Sequence, residues 1–192
     1  VSVLYNFRLM ALAGENGVAA YGVIMYVNFI FAAIFMGYAI GSAPVVGYHY
    51  GAEHHDELKS LLGKSLRLVA VAGLVLTALS ELLARPLTQI FVGYDPELWA
   101  FTCHGFQLYS LSFLFSGFNV FGSSFFTALN NGLVSAGISF SRTLLFQVAA
   151  VLLLPLVLGV DGIWLAITVA ELLCLLVTVS CLVKLRGRYH YA

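Results

Sequence analysis

Apolar runs about as long as a bilayer-spanning helix recur along this chain, and they limit its fold more than any other feature. Full-length runs cover residues 18–40, 61–83, 98–129, 134–158 and 163–183, and a shorter one, 1–13, precedes them. A hydrocarbon core about 30 Å thick takes about 20 apolar residues in helical form. It admits only helices or closed barrels, because unpaired backbone groups find no water there. Composition agrees. The chain is 61% hydrophobic and 9% charged, with a mean hydropathy of +0.96, whereas soluble domains carry about 25% charged residues. The 192 residues therefore read as an all-α polytopic membrane helix bundle, five full transmembrane helices plus a partial sixth, in a single transmembrane domain over 1–192. As a helix the first run reaches only about 20 Å. It looks like the second half of a span, so the sequence is expected to begin part-way through a longer protein. It opens on Val1 with no basic n-region, and no signal peptide is read.

The connections are short. Gly14-Glu15-Asn16-Gly17, Asn130-Asn131-Gly132 and Gly159-Val160-Asp161-Gly162 are turn sequences. Arg85-Pro86 is expected to close the 61–83 span. Lys59, Lys64, Arg67, Arg142, Lys184, Arg186 and Arg188 fall on one side of the resulting topology, and only Arg8 and Arg85 on or towards the other. By the positive-inside rule the first side is cytoplasmic, with the C-terminus inside a cell membrane. Net charge is zero, which gives no pull towards nucleic acid. Cys174 and Cys181 are too far apart on a straight helix to bridge, at roughly 10 Å.

The 18–40 span ends in GYAIGSAPVVGYHYG, residues 37–51. Pro44 removes a backbone donor and crowds the preceding turn, so a broken helix is expected at Gly41 and Pro44. Irregular backbone at membrane depth belongs against protein or a wet cavity. Gly37 with Gly41, and Gly47 with Gly51, have the spacing that lets membrane helices approach closely.

Ser112, Ser116, Asn119, Ser123 and Thr127 are spaced four, three, four and four apart on the 98–129 run, one face of a helix. Such a stripe avoids lipid. It either bonds neighbouring helices or lines a solute pathway, and Asn28, with Tyr21 and Met25, is placed to line the same cavity. Gly117 and Gly122 keep that helix slim. Glu171 lies mid-span in the last run, where a lipid-facing carboxylate costs about 3 kcal/mol or more. It must face the bundle, as a structural group or as a proton or cation coupling site. Arg142 reads as a cytoplasmic gate or, more simply, as an anchor that snorkels to the surface. His49, His54, His55, Asp56 and Glu57 cluster in sequence but match no metal-ligand spacing. No Gly-x-Ser-x-Gly elbow or shared-face catalytic set is present, so an enzyme is not expected.

Several of these segments resemble a known family. GSAPVVGYHYGAEHHDELK is similar to the end of helix eight in multidrug and toxic compound extrusion (MATE) transporters. FFTALNNG, SRTLLFQ, LLLPLVLGVDGIWLAI and AELL are similar to their closing helices, and the likeness runs from Asn6 to the end. The resemblance implies the C-terminal lobe, helices seven to twelve with the first incomplete, of a two-lobe transporter. It implies secondary active efflux of drugs or organic cations by antiport with protons or sodium ions, with no cofactor. The membrane partner would be a missing N-terminal lobe or a second copy. Acidic residues that some members carry within helices seven and ten are absent here, leaving Glu171 as the mid-membrane carboxylate and favouring protons. Two alternatives stay open: a flippase of the same fold for lipid-linked or amphiphilic cargo, and a non-transporting scaffold.

Overall fold

The structure is a computed structural model that describes residues 1–191. Its helices are α1 (Ser2–Gly51), α2 (His55–Val92), α3 (Pro96–Ser110), α4 (Phe113–Ala128) and α5 (Gly132–Phe140). A π-helical turn (Ser141–Phe146) leads into α6 (Gln147–Leu153), α7 (Pro155–Leu158) and α8 (Val160–Tyr189). Counting α3 with α4 as one bent pair, and α5 to α7 as one run, five stretches are long and apolar enough to cross a membrane.

Short polar and glycine residues make the corners. Gly14 has φ 62° and ψ −150°, a region essentially closed to residues with a Cβ. The chain folds back there. Tyr5 stacks on Tyr21 with centroids 5.1 Å apart, whereas sixteen residues of straight helix would separate them by about 24 Å. So α1 is a hairpin, a short arm (2–13) against a long one (15–51), as the turn sequence predicts. Gly159 repeats the device between α7 and α8 with φ 58° and ψ −134°. At Gly162 a Cβ would sit 2.6 Å from the Leu154 carbonyl carbon. Asn130 ends the α4 helix at φ 59°, and Asn131 caps α5 by accepting from the Val134 N–H at 3.2 Å. Asp95 caps α3, accepting from the N–H groups of Glu97 and Leu98 at 2.9 and 3.2 Å.

α4 is the pillar of the bundle and packs on α1, α2, α5 and α8. Gly117 admits the Phe35 ring and Gly122 admits Thr178, so these glycines do keep the helix slim. One apolar cluster, including Phe31, Phe106, Phe113 and Trp164, fills one half of the bundle. A second, including Val46, Phe121, Phe125 and Phe126, fills the other. Ile30, Ile40, Leu82, Ile90, Leu133 and Val157 stay exposed, as on a surface facing lipid.

Four expectations are corrected. First, α1 is not broken at Gly41 and Pro44; it continues to Gly51 with Pro44 inside it. Hydroxyls support the turn before the proline: Ser42 and Ser124 both donate to the Ala39 carbonyl, at 3.2 and 2.9 Å. The carbonyl that Pro44 leaves without its helical donor is that of Ile40, so these hydroxyls reinforce the preceding turn and do not replace the lost bond. Second, Pro86 does not end α2, which runs on to Val92. Third, the 98–129 run is two helices bent by 45°. At the bend the Ser112 N–H bonds the Tyr109 carbonyl three residues back, and Ser110 donates to Glu81 on α2 at 2.6 Å. Fourth, Gly37, Gly41 and Gly51 face open space, and only Gly47 of the two glycine pairs meets a neighbouring helix, at the Ala128 carbonyl.

Candidate functional site

The bend and the π-helical turn together shape a cavity of about 400 Å³ in one side of the bundle. The long arm of α1 gives it Tyr21, Met25 and Asn28, α3 ends in it at Tyr109, and α4 contributes Ser112, Ser116 and Ser123. Ser139, Arg142 and Gln147 enter from the α5–α6 side and Glu171 from α8. On a regular α-helix Arg142 and Gln147 would point about 140° apart. The i→i+5 bonding of the π turn stacks residues five apart and brings both to the cavity. π segments are rare, and they concentrate at functional sites.

Glu171 and Arg142 are the only charged side chains on the cavity wall among the described residues. The Arg142 Nε donates to Glu171 Oε1 at 2.7 Å. The Asn119 Nδ2 donates to Glu171 Oε2 at 2.7 Å and to the Glu171 carbonyl at 2.9 Å. Thr178, one helical stretch further along α8, donates to Asn119 Oδ1 at 2.9 Å. Both carboxylate oxygens of Glu171 are therefore occupied. The Glu171 side chain is 1% exposed and that of Arg142 is 32% exposed, so the carboxylate sits behind the guanidinium as seen from the cavity. A buried carboxylate is sustained only by such pairing and hydrogen bonding. That requirement explains why Arg142 turns inward. It is not the snorkelling cytoplasmic anchor that its sequence position suggested.

The polar stripe divides. Ser112, Ser116 and Ser123 face the cavity, as does Asn28. The Ser116 hydroxyl donates back to the Ser112 carbonyl at 2.8 Å, and Ser123 shares a hydrogen bond with Ser139 at 2.9 Å. Asn119 lies behind the wall, 1% exposed, with its amide given to Glu171. Thr127 is a turn beyond, donating to Ser135 at 2.7 Å. The cavity candidacy of Asn119 and Thr127 is thus corrected. The packing of α8 on α4 turns Asn119 towards protein, while Thr127 stays exposed beside Ser135 of α5, outside the cavity lining. Sequence reasoning missed Ser139 and Gln147, because a π insertion leaves no mark on the apolar period. It also missed Tyr109, which lies just before the unexpected bend. Arg8 satisfies a different break: its Nη2 donates to the Leu152 carbonyl at 2.9 Å, where Pro155 interrupts the helical ladder.

The helical bundle that carries this cavity is shared with known proteins. No curated protein matches the sequence. Solved structures do. The Vibrio cholerae MATE transporter VcmN in its bent form is similar at TM-score 0.88 and 19% identity, over 99% of this chain and 43% of that one. An outward-facing multidrug resistance MATE family transporter of the MOP superfamily is similar at TM-score 0.85 and 19% identity, over 97% and 42%. A MOP superfamily transporter from Pyrococcus furiosus is similar at the same score and identity, again over 97% and 42%. At this identity the likeness speaks for the fold, and the chain spans about 42% of the length of the transporters it matches. The family model of MatE matches residues 1–152. A match over that much of the sequence, joined to the fold, places the chain in the MatE family of membrane transporters.

Proposed function

We propose that this chain supplies one lobe, the C-terminal six-helix lobe, of a secondary active transporter that exports drugs or organic cations in exchange for protons. The observation that carries the reading is the Arg142–Glu171 pair at 2.7 Å on the cavity wall. With Glu171 ionised the pair is neutral. The cavity then offers aromatic faces and thioethers, among them Tyr21, Phe29, Phe35, Tyr109, Met25 and Met36, a lining suited to a soft cation. A proton arriving on Glu171 removes its charge and leaves the guanidinium uncompensated beside the solute. At an effective dielectric of 20, a freed unit charge about 6 Å from a bound cation weakens it by about 3 kcal/mol, or about a hundredfold. Proton and organic cation therefore exclude each other, which is the requirement for antiport. Sodium fits less well, since Arg142 and Asn119 already occupy both carboxylate oxygens. The paired state of the one cavity arginine also weighs against a flippase for anionic headgroups.

The second cavity wall belongs, in this reading, to a further lobe or a second copy. Basic residues gathered at one end of the bundle, from Lys59 to Arg67 and from Lys184 to Arg188, support a cell-membrane orientation with the C-terminus in the cytoplasm. The test is ethidium efflux driven by an imposed pH gradient in membrane vesicles containing the transporter. Glu171→Gln should abolish gradient-driven efflux and weaken ethidium binding about a hundredfold, because the neutral side chain leaves Arg142 uncompensated. Gradient-driven efflux at the wild-type rate in that variant removes Glu171 from the mechanism.

A further inference from the structure

Away from the cavity, on the opposite flank of α4, lies a second recess of about 350 Å³. Its walls are Leu66 of α2 and Leu175, Val179, Leu182 and Val183 of α8, with Phe118 of α4 between them, and Thr178 contributes to it. α2 and α8 each pack on α4, so the recess is a trough with α4 as its base. From Leu175 to Val183 it extends about 12 Å along α8. These helices are long and apolar enough to cross a membrane, and the trough faces outward: Val179 is 47% and Val183 55% exposed.

One end of the trough is charged. Arg186 lies four residues beyond Leu182 and seven beyond Val179, on the same stripe of α8. Lys59 lies seven residues before Leu66, on the same stripe of α2. Between Lys59 and Leu66 sits Gly63, with open space where a Cβ would be, so the trough stays open towards the lysine. Lys59 and Arg186 are exposed and make no ion pair among the described residues, where the two pairs are His104–Asp161 and Arg142–Glu171. The nearest acids on α2, Asp56 and Glu57, occupy its first turn, where the helix dipole favours them.

We propose that this trough is a binding site for an anionic phospholipid, with one acyl chain lying along Leu182, Val179 and Leu175 and the headgroup phosphate held between Lys59 and Arg186. An apolar slot leading to two unpaired cations is complementary to an amphiphile with a phosphate at its polar end, and basic pockets between membrane helices hold such headgroups. The site is separate from the transport cavity but shares a residue with its support. Thr178, which faces the trough, donates to the Asn119 that holds Glu171. A lipid seated there braces α8 against α4 on the side away from the solute.

The test is native mass spectrometry of the transporter purified from membranes of equal phosphatidylglycerol and phosphatidylcholine. A cation beside an anionic surface contributes about 1 kcal/mol, so two of them give a preference for phosphatidylglycerol of about thirtyfold. Lys59→Gln with Arg186→Gln should abolish the preference. Lys64→Gln with Arg188→Gln, the same charge change off the two stripes, should leave it. Val179→Trp, at an exposed position, should expel either lipid. The proposal is overturned if wild type holds both lipids equally or if the two double variants lower the preference alike. It is also overturned if Val179→Trp leaves bound lipid unchanged, or if the trough is found cross-linked to a second copy of the chain.

Discussion

Replacing Arg142 by Gln should cost much more stability than replacing Glu171 by Gln, although each removes the same ion pair. The reason is the difference in burial, 32% exposure for the arginine side chain against 1% for the glutamate. Without Arg142, a carboxylate remains sealed in the bundle with only the Asn119 amide on Oε2. Breaking a buried pair from that side costs about 3–5 kcal/mol, and the surviving Asn119 bond argues for the lower end. Without the glutamate charge, Arg142 keeps access to water in the cavity, and a Gln amide can still accept from Asn119. The loss is then that of one charge-assisted hydrogen bond, about 1–2 kcal/mol. The double variant leaves no buried charge and should unfold close to Glu171→Gln, so the two losses do not add. The assay is equilibrium unfolding in mixed micelles, followed by the fluorescence of Trp99 and Trp164. Equal losses for the two single variants, or a larger loss for Glu171→Gln, would refute the reasoning that the carboxylate is the buried partner.

Other perturbations test the fold around the site. Gly14→Ala should cost about 1–3 kcal/mol, because its φ of 62° with ψ −150° suits only glycine. Gly22→Ala, helical and with nothing near its Cβ position, should be neutral or stabilising by up to about 1 kcal/mol. Asn119→Ala leaves Glu171 Oε2 and the Thr178 hydroxyl without their partner and should cost about 1–3 kcal/mol for each buried group, read by the same unfolding assay. Gly122→Ala drives a methyl into Thr178 and should destabilise by about 1–3 kcal/mol. It should also slow efflux, since Thr178 positions Asn119.

What could be read from the sequence depended on how local the physics was. Span number and the corners at Gly14, Asn130 and Gly159 follow from residues acting on their own backbone, and the structure has them. Proline was over-read. Pro44 and Pro86 each remove one helical bond, but a long helix in a packed bundle continues past the defect, at Pro44 with hydroxyls from Ser42 and Ser124 on the preceding turn. The bend at 111–112 sits beside a Ser110–Glu81 contact between α3 and α2, and the spacing of polar and apolar residues within 98–129 does not mark it. Glu171 stood out because a mid-membrane carboxylate needs a reason. Its partner was hidden: the pairing joins residues 29 apart on a π turn that the apolar period does not mark, and Arg142 alone looked like one more basic residue near a helix start.

The most direct test of the account is proton release on solute binding. The purified transporter is held in weakly buffered detergent solution, in separate runs across a range of pH, and the largest release is taken. Ethidium is added, and the released protons are counted with an indicator dye. Competition between the solute and the Glu171 proton predicts about one proton per ethidium bound in the wild type and none in Glu171→Gln. Binding without proton release, or release undiminished in Glu171→Gln, would contradict the coupling role assigned to the Arg142–Glu171 pair.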